Sequence, residues 1–86
     1  MATVKWTAKA AKQFARLPKY DQAAVSRDVD GLECWPDCRK VKALAGRGDY
    51  RLRVGRYRVI FTVDAMQSPV VIRIEEVKKR DEHTYQ

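Results

Sequence analysis

Eighty-six residues make one domain, and a chain this short buries only about 60–65% of the surface its unfolded form exposes, which leaves one small core. A hydrophobic content of 45% excludes wholesale disorder. No stretch is apolar for long enough to span a membrane, and the opening "MATVKW" lacks the apolar run of a signal peptide, so the expected location is cytoplasmic. The net charge of +7 is large, and it is local. Between residues 39 and 58, Arg39, Lys40, Lys42, Arg47, Arg51, Arg53, Arg56 and Arg58 stand against a single acid, Asp49. The rest of the chain balances to zero, so the excess marks a binding face for a polyanion, nucleic acid above all.

The alternation in "TVKW" predicts a first strand over 3–6. Thr7 is placed to cap a helix over 8–17, with Ala10, Phe14 and Leu17 on its apolar stripe and Lys9, Lys12 and Arg16 facing water. Pro18 separates it from a second helix over 20–34, in which Val25, Val29 and Leu32 recur at helical spacing. Trp35–Pro36 ends that helix. So short a link predicts an antiparallel helical hairpin. Cys34 and Cys38 in "CWPDC" read as free thiols in a reducing compartment. A metal centre there would need further ligands, and the only histidine, His83, is far along the chain.

Residues 37–47 read as a basic connector, with Val41 and Leu44 anchoring it to the core. Strands are predicted over 50–54, 57–63 and 70–77, followed by a polar tail over 78–86. The order β-α-α-β-β-β defines an α+β domain over 1–86, two helices packed on one face of a mostly antiparallel sheet.

The central hairpin carries the sharpest signal. Gly55–Arg56 is a Gly-X pair, the sequence of a two-residue type II′ turn. That turn fixes the register: Val54 meets Tyr57, Leu52 meets Val59 and Tyr50 meets Phe61, all on the core face. The other face receives Arg51, Arg53, Arg58 and Ile60, with Arg53 directly opposite Arg58. Like charges so placed destabilise a sheet by about 0.2–1 kcal/mol. A merely solvated face would mix its signs. A face of one sign is explained by an arriving anion that relieves the repulsion, and arginine is the cation suited to bidentate phosphate contact.

Such a face could also cleave RNA. Metal-free cleavage needs a base for the 2′-OH, cations for the phosphorane charge and an acid for the 5′-oxygen. Arg58 and Arg80 suit the charge-stabilising role, and His83 and Tyr85 are the proton-transfer candidates. Nearby arginines would favour the phenolate of Tyr85. Each tail residue also has an ordinary reading: His83 as an exposed bystander, Tyr85 as a fraying or packing residue, and Lys78–Lys79–Arg80 as a solvated charge run. By themselves the residues point to a basic α+β nucleic-acid binder with the makings of a nuclease.

The element order, the run "LAGRGDYRLRVGRYRVIF" and the ending "EEVKKRDEHTY" resemble the RelE/ParE toxin superfamily of bacterial type II toxin–antitoxin modules, over essentially residues 3–86. The resemblance implies a RelE-like ribosome-dependent mRNA interferase, an endoribonuclease that cuts mRNA in the ribosomal A site by 2′-OH attack, with no metal or other cofactor. It implies that Arg51 and Arg53 grip the mRNA backbone and that Arg58 stabilises the scissile phosphate. Arg80 would serve the transition state or leaving group. Tyr85 would stack on the nucleotide or act as base, with His83 in reserve. Arg47, Arg56, Lys78 and Lys79 join the phosphate-binding set. The implied partners are a cognate antitoxin, the ribosome and mRNA, with operator DNA reached only through the antitoxin and no membrane. Two other readings share the fold: a gyrase-poisoning toxin without nuclease activity, and a degenerate member that binds only antitoxin or RNA. The full set of basic residues with Tyr85 favours cleavage.

Overall fold

Thr7 ends one element and starts the next. In the computed structural model, which describes residues 1–44 and 48–79, β1 spans Thr3–Trp6 and α1 spans Ala8–Ala15. The Thr7 side-chain oxygen accepts a hydrogen bond from the Ala10 amide at 3.1 Å, as the sequence predicts for an N-cap. α2 runs Lys19–Asp30 and buries Val25 and Val29. The predicted helix over 20–34 therefore stops early, at Gly31, and tightens into a 3-10 turn over Gly31–Cys34. That turn keeps Leu32 in the core and lets the Trp35 amide bond to the Leu32 carbonyl at 2.9 Å.

Four more strands follow: β2 Val41–Ala43, β3 Asp49–Val54, β4 Tyr57–Asp64 and β5 Val71–Lys79. With β1 they form one sheet in the order β1-β5-β4-β3-β2, in which β1 and β5 are parallel and every other pair is antiparallel. The α+β architecture is as predicted, with two corrections. The connector over 37–47 contains a strand, β2, which sequence alternation could not reveal over three residues. The tail predicted from residue 78 starts too early, because β5 runs on through Lys78 and Lys79.

The core lies between the helices and one face of the sheet. Leu52, Val54, Tyr57, Val59 and Phe61 of the hairpin meet Ile72, Ile74 and Val77 of β5 and Ala10, Val25, Val29 and Leu32 of the helical layer. Trp35 closes one end, its ring edge-on to Tyr50 at 4.8 Å and to Phe61 at 5.9 Å, while Tyr50 and Phe61 stack at 5.5 Å. Val41 packs against this cluster from β2, as expected, and Leu44 is half-buried. Where β5 runs past the end of β1, Gln13 of α1 takes over: its side-chain oxygen accepts from the Val77 amide at 2.7 Å, so this stretch of strand edge is not left open.

Candidate nucleic-acid interface

The hairpin register is the one its turn requires. Arg53 pairs with Arg58, Leu52 with Val59 and Tyr50 with Phe61. Gly55 takes a φ of 56°, and Arg56 is not in the left-handed region, as a type II′ turn demands. The face turned away from the helices therefore carries Arg51, Arg53, Arg58 and Ile60.

The sheet extends this face on both sides. Across β4, Arg58 pairs with Lys78 of β5, so Arg53, Arg58 and Lys78 form one transverse row on three adjacent strands. Directly opposed residues stand about 5 Å apart at Cβ, so the row packs three cations within a span on the order of 10 Å. The next row is Lys42, Arg51, Ile60 and Glu76. Beyond it the signs mix, with Asp49, Thr62 and Arg73 in register. A shallow groove lined by Lys40, Val41, Lys42, Arg51 and Arg53 continues the basic surface to the β2 edge.

Two arginines on this face are partly desolvated. The Nε atoms of Arg51 and Arg58 are buried and, among the described residues, lack a hydrogen-bond acceptor. None of Arg51, Arg53, Arg56 and Arg58 forms an ion pair among the described residues. An unpaired buried donor on a charged group is costly. A phosphate oxygen would remove that cost, and a guanidinium can offer it two parallel N–H bonds.

The expected single-sign face needs correction. β5 contains a bulge opposite Ile60/Phe61: Ile60 pairs with Glu76 and Phe61 with Ile74, which makes Glu75 the extra residue. The Thr62 hydroxyl donates to Glu75 Oε2 at 2.9 Å. Glu76 accepts from Lys9 Nζ of α1 at 2.8 Å and lies 3.5 Å from Lys78 Nζ. The Lys9 hydrogen bond, helped by Lys78, holds the Glu76 carboxyl below the usual carboxylate range. Lys78, expected among the phosphate-binding residues but in the tail, instead sits in β5 as the third member of the row, and Glu76, inside the predicted strand, is the unexpected acid beside it. Two-residue alternation continued from Ile72 and Ile74 would turn both Glu76 and Lys78 toward the core, and the bulge at Glu75 reverses that.

The other site residues fall as follows. Arg56 is exposed at the turn, next to the end of the row. Lys79 pairs with Tyr57. Strand alternation therefore puts it on the opposite face from Arg58, against the expectation that it joins Lys78. Tyr57, on the helix side, donates its hydroxyl to Asp21 Oδ2 at 2.8 Å, and that bond raises the phenol above its ordinary value. Arg47, Arg80, His83 and Tyr85 lie outside the described residues. Cys34 and Cys38 are free thiols, and burial, reinforced by Cys34 and Asp37, pushes the Cys38 thiol up. Among the described residues no helix is long and apolar enough to cross a membrane.

No protein-family model and no curated protein sequence matches the chain. Solved structures do. The toxin–antitoxin complex RelBE2 from Mycobacterium tuberculosis contains a chain 30% identical, with a TM-score of 0.77, over 91% of this chain and 96% of that one. The archaeal RelE–RelB complex from Pyrococcus horikoshii contains one 33% identical, with a TM-score of 0.79, over 94% and 97%. The isolated Escherichia coli RelE toxin shares the fold at a TM-score of 0.79 with 14% identity, over 96% of this chain and 88% of that one. The α+β fold, two helices on a five-stranded and mostly antiparallel sheet, is what these structures share with the chain. The chain belongs to the RelE-like toxin superfamily.

Proposed function

We propose that this protein is the toxin of a type II toxin–antitoxin module and an endoribonuclease that cleaves mRNA in the ribosomal A site. The observation that carries the reading is the row Arg53–Arg58–Lys78, with the unpartnered Nε atoms of Arg51 and Arg58 beside it. Cations held against their mutual repulsion are preorganised for an anion. In this mechanism the RNA backbone lies across β3, β4 and β5. Arg51 and Arg53 hold flanking phosphates, with Lys42, Arg56 and Arg47 extending the track. Arg58 faces the scissile phosphate and stabilises the charge that grows on its oxygens as the 2′-OH attacks. Arg80 neutralises the departing 5′-oxygen. Tyr85 or His83 takes the 2′-OH proton. No step calls for a metal or other cofactor.

A cognate antitoxin is the second partner. The M. tuberculosis relative was solved as a toxin–antitoxin complex and the P. horikoshii relative as a RelE–RelB complex. An acidic antitoxin segment suits a chain of net charge +7, and operator DNA would be met only through that partner. The setting is the cytoplasm, where ribosomes translate.

The test is to add purified protein to a translating extract and map mRNA 5′ ends, with Arg58→Ala as control. Cuts within A-site codons that need both the ribosome and Arg58 are expected. Intact mRNA overturns the reading and turns attention to a gyrase supercoiling assay.

A further inference from the structure

Glu76 is the one acid in the two rows that carry Lys42, Arg51, Arg53, Arg58 and Lys78. It stands on the anion-binding face, diagonal to Arg58 and two residues from Lys78 along β5. A carboxylate there opposes an incoming phosphate, so its presence needs a reason. Anchoring α1 is one: Lys9 reaches it at 2.8 Å. That reason is weak, because the Lys9 side chain is 64% exposed and exposed ion pairs contribute little to stability. The same face of α1 is already tied to β5 by the hydrogen bond from the Val77 amide to Gln13 Oε1 at 2.7 Å.

Its other contact is likewise an exposed pair of little worth to stability, with the Lys78 side chain 51% exposed, and its bearing is on binding instead. Lys78 Nζ lies 3.5 Å from Glu76 Oε1, and Lys78 is the third cation of the row. Arg53 and Arg58 have no acidic partner among the described residues, whereas Lys78 has one.

We propose that Glu76 is a positioning residue that holds Lys78 in an internal ion pair, and that a backbone phosphate of single-stranded RNA must displace this carboxylate before Lys78 can bind it. The inference rests on the reading of this face as an RNA interface. Glu76 thereby weakens RNA binding and limits it to substrate presented at high local concentration. Lys9 sets the strength of the hold. By sharing the carboxylate, it reduces the attraction of Glu76 for Lys78 and lets the lysine exchange.

Binding of a fluorescent 2′-O-methyl oligoribonucleotide, which has no 2′-OH nucleophile, separates this effect from cleavage. Measured by polarisation over a range of salt, Glu76→Gln should bind about 3–10-fold tighter than wild type. Its log–log salt slope should match that of wild type, because Lys78 contacts a phosphate in both complexes. In a Lys78→Gln background the same change should have no effect on affinity or slope. Lys9→Gln should shift affinity the opposite way from Glu76→Gln, whereas a purely structural anchor would make the two variants alike. An equal gain from Glu76→Gln with and without Lys78, or no gain at all, overturns the inference while leaving the RNA reading intact. Failure of the wild-type protein to bind the oligonucleotide overturns both.

Discussion

The two faces of the β3–β4 hairpin are built from alternate residues of the same fourteen, yet they obey opposite rules. On the helix side, opposed residues attract: Leu52 faces Val59 and Tyr50 faces Phe61, and Val59 and Phe61 are fully buried. On the open side, opposed residues repel: Arg53 faces Arg58, which faces Lys78. The first face contributes the apolar burial that makes the fold. The second subtracts a little from stability in return for a preorganised charge array. A strand can do both because successive side chains point to opposite sides of the sheet.

This contrast predicts that stability and activity separate cleanly by face. The largest effect on stability is expected from Phe61→Ala, about 3–5 kcal/mol in urea unfolding, because its ring is fully buried against Trp35 and Tyr50. Arg58→Ala should leave urea stability within about 0.5 kcal/mol or raise it, yet lower mRNA cleavage in a translating extract by at least about 10²-fold. A large loss of stability in Arg58→Ala would break the comparison.

Tyr57→Phe tests the helix side at the hairpin's turn. Losing the hydrogen bond to Asp21 should cost about 1.5 kcal/mol, the low end for a bond to a charged group, since Asp21 is half-exposed and water can replace the hydroxyl. The phenol is raised in the folded state, so the protonated form is the one favoured by folding. Its contribution is fully present below about pH 10 and is lost as pH rises through the raised value. Stability measured from pH 9 to 11 should show that fall in wild type and less of it in Tyr57→Phe.

The smallest effects sharpen the contrast on the open side. Arg53→Thr should stabilise the protein by about 0.2–1 kcal/mol by removing a like-charge pair from a strand position threonine favours, while weakening RNA binding. Glu76 titrates with the opposite sign to Tyr57. Its carboxyl is lowered in the folded state, so its contribution is present above its unfolded value and is lost as pH falls through the lowered one. Wild type should show that acid loss of stability and Glu76→Gln should lack it.

Much of this was legible in the chain because it is local. Thr7 caps α1 through a bond to an amide three residues on, and the Gly55–Arg56 turn sets the pairing of six residues on either side of it. Both follow from short-range stereochemistry. The halt of α2 at Gly31 and the three residues of β2 were not legible, because neither departs far enough from its neighbours to leave a period.

The α+β class was readable from the order of elements, and the hairpin register and the face that receives Arg51, Arg53 and Arg58 from turn type and two-residue alternation. What lies beside them came from packing between strands. The pairing of β4 with β5 brings Arg58 beside Lys78, and the bulge at Glu75 shifts the register within it. Together they place Lys78 in the cationic row, send Lys79 to the other side, and set Glu76 among the cations. No turn motif of fixed register joins β4 to β5, so no local rule specifies the bulge. It follows from fitting Ile72, Ile74 and Val77 into one core, and that is a property of the packed molecule.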